Sequence, residues 1–163
     1  MLIKRILSVL LVIVFALVGS VYAAGVEVKS VAEVEVKVKN EKGEFEAKRI
    51  EAAKANVGPG DEVIFSNYYV NNGDQPVTDV VILNPVPMHT VYVEKTAGGD
   101  FTKIEFSVDG GKTFDVPENL KVKDKKGRER IAKAEDYTHI RWIVTKPVPP
   151  KEGGVVYFRA KIK

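Results

Sequence analysis

Between Gly25 and Lys39 the chain alternates with a period of two. Val26, Val28, Ser30, Ala32, Val34, Val36 and Val38 share one parity. Glu27, Lys29, Glu33, Glu35, Lys37 and Lys39 share the other, with Val31 the one apolar intruder. Successive side chains leave a strand on opposite sides, so this pattern specifies a half-buried β-strand. It is long, against a usual strand of about five or six residues. Asn40-Glu41-Lys42-Gly43 reads as a turn, and Glu44 to Glu51 as a returning strand with Phe45 and Ala47 on one face. An ordinary hairpin of Val26–Val38 with Glu44–Glu51 is the simplest expectation. The alternative is donation of Val26–Val38 to a neighbour's sheet, where an added strand gains backbone bonds and side-chain pockets. Glu51 to Asn56 is Ala-rich and reads as a short helical turn.

The remainder is punctuated like an all-β chain. Strands are expected at Glu62–Asn71, Val77–Leu83, Thr90–Glu94, Phe101–Val108, His139–Val144 and Gly154–Ile162. Between them lie Asn71-Asn72-Gly73-Asp74, Asn84-Pro85-Val86-Pro87, Gly98-Gly99-Asp100, Asp109-Gly110-Gly111-Lys112 and Pro147-Val148-Pro149-Pro150. Short β-branched and aromatic runs with such separators point to an antiparallel sandwich. No long helices alternate with them, which argues against a parallel α/β fold. Pro59-Gly60 suits a turn with a positive dihedral at its second position, and Asn72-Gly73 a tight reversal. Pro85 and Pro87 supply no ladder donors, so a strand must stop there. In Trp142's strand, Ile140, Trp142 and Val144 are expected inward, because burying Arg141 unpaired is costly.

Residues 1–23 read as a secretory leader: Lys4 and Arg5, the apolar run Ile6–Val18, and a small residue at Ala23. That run is short of the roughly 20 residues a spanning helix needs. Cleavage after Ala23, or after Ala24, leaves about 140 residues, ample for one self-supporting core. The chain as a whole carries 25 basic and 22 acidic residues. Lys4 and Arg5 leave with the leader, so the remainder is nearly neutral, and no general affinity for nucleic acid follows. The absence of cysteine excludes disulfides, thiolate metal sites, cysteine nucleophiles and a lipoprotein anchor.

Asn56 to Pro87 carries Asn-Val-Gly-Pro-Gly-Asp-Glu-Val-Ile-Phe, then Tyr-Tyr-Val-Asn-Asn-Gly-Asp-Gln-Pro-Val-Thr-Asp-Val-Val-Ile, then Asn-Pro-Val-Pro. This resembles the "conserved repeat domain" family of prokaryotic cell-envelope proteins, domain of unknown function eleven. The likeness runs from about Val31 to Lys161 and is densest from Asn56 to Glu94. Asn84 stands where the family commonly has Asp. The resemblance implies an immunoglobulin-like scaffold and no catalytic residue. The expected fold is therefore an all-β, antiparallel immunoglobulin-like β-sandwich with an extra N-terminal strand or hairpin. Residues 24–55 form the extension and residues 56–163 the sandwich, as one folded unit.

Ser107-Val108-Asp109-Gly110-Gly111-Lys112-Thr113-Phe114 is similar to the Asp-box of sialidases and other β-proteins. That motif is a folded turn whose Ser and Asp bond to turn amides above a packed aromatic. A sialidase needs several boxes and an arginine cluster, and this chain offers one box. The acids Asp74, Asp79, Asp100, Asp109 and Asp136 fall in or near loops without a calcium-loop spacing. His89 and His139 are isolated, short of the three or four ligands zinc takes. Ser30, Ser66 and Ser107 sit in strand contexts and none occupies a nucleophile elbow. Lys121 to Lys133 holds seven basic residues against Asp124 and Glu129, without interleaved aromatics, and reads as a long loop with a helical turn at Lys133–Tyr137.

No catalytic, metal or cofactor residue is assigned, and none is needed by the expected function. That function is a non-catalytic, exported structural or interaction module of the cell envelope, periplasmic or at the cell surface. Its partners are envelope proteins or itself. The alternatives are a filament subunit assembled by donation of the N-terminal strand, and a calcium- or carbohydrate-binding module.

Overall fold

A computed structural model describes residues 25–163; the leader expected at residues 1–23 lies outside them. Eleven strands follow in order: β1 (Val26–Lys39), β2 (Phe45–Glu51), β3 (Glu62–Asn71), β4 (Val81–Pro85), β5 (Thr90–Tyr92), β6 (Gly98–Gly99), β7 (Thr102–Ser107), β8 (Lys121–Lys123), β9 (Glu129–Ile131), β10 (His139–Val144) and β11 (Gly153–Ile162). The only helical pieces among the described residues are single 3-10 turns at Ala52–Lys54, Pro117–Asn119 and Ala134–Asp136. The larger sheet has the order β2-β1-β3-β11-β5, with β6 also on β11. The smaller has the order β4-β10-β7, and β8-β9 stand apart as a hairpin. Every strand pairing is antiparallel. The fold is an all-β sandwich.

The core lies between the sheets, where pleating brings every second residue inward. Ile140, Trp142 and Val144 of β10 are buried, as their parity requires, with Ile82 and Phe106 beside them. Val156, Phe158 and Ala160 of β11 face them from the larger sheet. Trp142 lies 6.2 Å from the Phe158 ring, and Phe65 stacks on Phe158 at 5.2 Å. Arg141, on the opposite parity, points outward. Gly153 and Gly154 have a steric role. A side chain at Gly153 would overlap the Tyr69 carbonyl, and one at Gly154 would lie 2.6 Å from the Tyr69 hydroxyl.

The N-terminal strand departs from the simple hairpin. Residues Glu33–Lys39 of β1 pair with β2, but Val26–Glu33 pair with Ile64–Asn71 of β3. One long strand thus serves two partners in succession. Its first half is built into the larger sheet and puts Val26 in the main core. Its second half carries Val34 into a smaller core with Val63 and Ile162. Val26 before Ser30, and Ala32, Val34 and Val36 after it, lie on one face and account for both contacts.

Three other expectations change. The strand expected at Val77–Leu83 begins at Val81, and Val77 makes only an isolated bridge to Val148. Asn72-Gly73 is not a tight hairpin turn, because β3 and β4 lie in different sheets and the chain must cross between them. The basic stretch Lys121–Lys133 is not a loop but the β8-β9 hairpin. Its turn is closed by Asp124, whose carboxylate accepts the Lys126 and Arg128 amides at 2.8 and 2.9 Å. The helical turn expected after it is the 3-10 turn at Ala134–Asp136. Among the described residues, no helix is long and apolar enough to cross a membrane.

Candidate functional site

The outward face of the smaller sheet brings together Ser107, Asp109 and His139 of the side chains singled out by sequence. Strand register sets them in rows. Ser107 of β7 lies opposite His139 of β10, Glu105 opposite Arg141, and Lys103 opposite Ile143. On the other side of β10, Pro85, Leu83 and Val81 of β4 continue those rows. One half of the face is therefore polar and the other apolar.

At one end sits the Ser107–Phe114 turn. Ser107, fully buried, donates its hydroxyl proton to Asp109 Oδ1 at 2.7 Å, and its oxygen accepts the Gly111 amide at 2.9 Å. Asp109 Oδ1 also accepts the Lys112 and Thr113 amides, both at 3.0 Å, and Oδ2 accepts the Thr113 hydroxyl at 2.7 Å. The Thr113 amide and hydroxyl, with Ser107, hold the Asp109 carboxyl well below the usual carboxylate range. Gly110 and Gly111 both take positive φ, which this reversal needs. The His139 ring lies 3.3 Å from where a Gly111 side chain would begin, and burial pushes its pKa down against the opposing charge of Asp109.

The next row holds an ion cluster that the sequence did not reveal. Glu105 is buried, and its side chain accepts Arg141 Nε at 2.9 Å together with Arg141 Nη2. Lys103 Nζ reaches its other oxygen at 2.7 Å. The hydrogen bond from Lys103, then that from Arg141, lowers the Glu105 pKa. The Arg141 guanidinium lies 4.3 Å from the centroid of Phe114, so the Asp-box aromatic packs against this cation. The only sequence signal was parity: Glu105 and Arg141 both fall opposite to core residues, on strands that turn out to be adjacent.

The remaining candidates are dispersed. Asp74, Asp79 and Asp100 are exposed, and Asp79 and His89 both take positive φ. Asp136 is held by Arg130 through two bonds of 2.6 and 2.8 Å. Among the described residues, no three His, Asp or Glu side chains are grouped as a metal site requires. Ser30 donates to Asn67 Oδ1 at 2.6 Å across β1 and β3, and Ser66 is buried. In the β8-β9 hairpin, Arg128 pairs with Asp124, Lys121 with Glu129 and Arg130 with Asp136, leaving Lys123, Lys125 and Lys126 exposed at its tip.

A cleft of about 540 Å³ lies beside the second half of β1. Val34, Val36, Ile50 and Val57 line it with Glu62 and Arg159. Arg159 clasps Glu35 at 2.8 and 3.3 Å and lies 3.8 Å from Glu62, while Arg49 lies 3.6 Å from Glu35. Set against models of protein families, curated proteins and solved structures, the chain matches none.

Proposed function

We propose that this protein is a non-catalytic, exported structural or interaction module of the cell envelope. One observation carries the reading: the residues that looked most like chemistry are spent on folding. Ser107, Asp109 and Thr113 saturate one another and the amides of their own turn. Glu105 is neutralised by Arg141 and Lys103 within the sheet. A carboxylate with its oxygens committed to fixed donors is poorly placed to move protons. The leader pattern at residues 1–23 and the resemblance to envelope repeat domains supply the location. Kinship with immunoglobulin-like sandwiches belongs to the same proposal. It rests on the two-layer antiparallel design rather than on strand order, since β10 and β11 lie in opposite sheets where the immunoglobulin arrangement keeps its last two strands together.

Strand donation is the second reading. It is favoured by the placement of Val26 in the main core on β1, which with β2 forms the first hairpin of the described residues. Fractionation of the host with intact-mass measurement tests the first reading. It expects a soluble exported chain beginning at Ala24 or Gly25, and a chain retaining Met1 in the cytoplasm overturns it. Electron microscopy of the same material tests the second, which requires filaments.

A further inference from the structure

The edge of the larger sheet is left open along the first residues of β1. The Asn72 amide donates to the Gly25 carbonyl at 2.7 Å, and the Asn40 amide donates to the Glu44 carbonyl at 2.9 Å. Opposed residues of an antiparallel ladder alternate between exchanging both bonds and none. Continuing the two registers from these bonds, odd-numbered residues of β1 bond toward β3 and even-numbered residues bond toward β2. But β2 reaches back only to Glu33, opposite Glu51. The amides and carbonyls of Val26, Val28 and Ser30 therefore point out of the sheet edge, and among the described residues no strand pairs with them there. Val28, on the core-facing side, is 36% exposed. Glu27 and Lys29, on the other side, are exposed and form no ion pair among the described residues; Glu27 accepts only the Asn72 side chain at 2.6 Å.

We propose that this edge pairs antiparallel with the same edge of a second copy, joining two larger sheets across a two-fold axis. The segment Val26-Glu27-Val28-Lys29-Ser30 is self-complementary in one register. Val28 meets Val28 of the second copy at the axis, and Val26 meets Ser30. Glu27 meets Lys29 twice, by symmetry. The free backbone groups of residues 26, 28 and 30 are those such a ladder uses. Moving the register by two residues sets Lys29 against Lys29 in one direction and Glu27 against Glu27 in the other, so like charges exclude both neighbours. A shift of one residue turns the valines to the charged face. Charged side chains ordinarily guard an edge strand against its own kind. Here their alternation in sign selects one pairing. Gly25 of one copy falls opposite Val31 of the other, so the second strand ends just before β2 takes over the edge. The contact is isologous and closes as a dimer. It rests on removal of the leader expected at residues 1–23, and not on any envelope role of the mature chain.

The test is sedimentation equilibrium on the chain expressed from Ala24, with charge variants at two exposed positions. The wild type is expected to dimerise. Lys29→Glu sets Glu against Glu twice and should raise the dissociation constant at least about tenfold; Glu27→Lys should do the same with lysines. An equimolar mixture of the two variants should restore dimers, each containing one of each. Because the chain has no cysteine, Val28→Cys should oxidise to a covalent dimer while Lys48→Cys on β2 stays monomeric. A wild type that stays monomeric at its highest soluble concentration overturns the proposal. So does a Lys29→Glu variant that dimerises as the wild type does, a mixture that fails to restore dimers, or equal cross-linking at the two cysteine positions.

Discussion

Replacing Trp142 by alanine tests the account of the core. Trp142 is wholly inaccessible, between the flanking strands of the smaller sheet and the Phe158 ring of the larger. Burying an aromatic of this size removes about 150–250 Å² from water. At about 25 cal/mol per Å² that is worth about 4–6 kcal/mol. Its Nε1–H is buried with no partner among the described residues, which costs about 1–3 kcal/mol in the native state. Truncation relieves that cost, so the expected loss is about 3–4 kcal/mol, within the range for aromatic-to-alanine changes in cores. Urea unfolding followed by far-ultraviolet circular dichroism gives the number. Trp142→Phe separates the two contributions: it keeps one ring, removes the orphan donor and should cost no more than about 1–2 kcal/mol. Trp142 is the one tryptophan in the chain, so wild-type emission reports this site alone and should be blue-shifted. A loss under about 1.5 kcal/mol for Trp142→Ala, or emission typical of exposed indole, would refute the packing argument. Phenylalanine costing as much as alanine would refute the argument about the donor.

Gly153→Ala should cost about 3 kcal/mol, at the upper end for overpacking, since the new methyl overlaps the Tyr69 carbonyl. Gly43→Ala, at φ 80° with open space around it, should cost only the left-handed penalty of about 1–2 kcal/mol, and paired thermal melts compare them. Ser107→Ala leaves the Gly111 amide without its acceptor and should cost about 1–2 kcal/mol in the same assay. The lowered pKa of Glu105 gives a pH dependence of definite sign. Its stabilisation is complete above the unfolded value near 4.5 and is lost as pH falls through the lower folded value. Glu105→Gln should therefore be less stable than the wild type at neutral pH, and the difference should shrink below about pH 4; a difference that persists to pH 2 contradicts the assignment.

Alternation exposed the central strands in the sequence because burial on one face leaves a period-two trace. Glu62–Asn71 and His139–Val144 match their sequence limits, and the inward set around Trp142 follows from parity. Pairing left no such trace. The valines of β1 indicate a buried face, yet nothing local says that β3 takes the first half and β2 the second. That division depends on where the chain between Ala52 and Asp61 returns. The β8-β9 hairpin was hidden because its strands are three residues each, too short for alternation to register, and its acids are consumed by neighbouring cations. In the site, the Ser107–Phe114 turn was legible because the bonds of Ser107, Asp109 and Thr113 within it are local; the Gly110 amide reaches away, to the Thr138 hydroxyl. The Glu105–Arg141 pair joins residues 36 apart, so it became visible only with the register of β7 and β10.

The position of β11 bears on when this protein can fold. It follows the other ten strands in chain order, yet it lies inside the larger sheet, with β3 on one side and β5 and β6 on the other. Its ladder with β3 joins Gly153–Lys161 to Glu62–Val70, across nearly the whole length of the sandwich chain. Closing so large a loop must precede any gain from the contacts, which slows folding in chains dominated by non-local pairing. A nascent chain ending before Gly153 therefore has no centre around which the larger sheet can gather. It remains unfolded until β11 has been made, and loss of Gly153–Ile162 removes the whole fold rather than an edge of it.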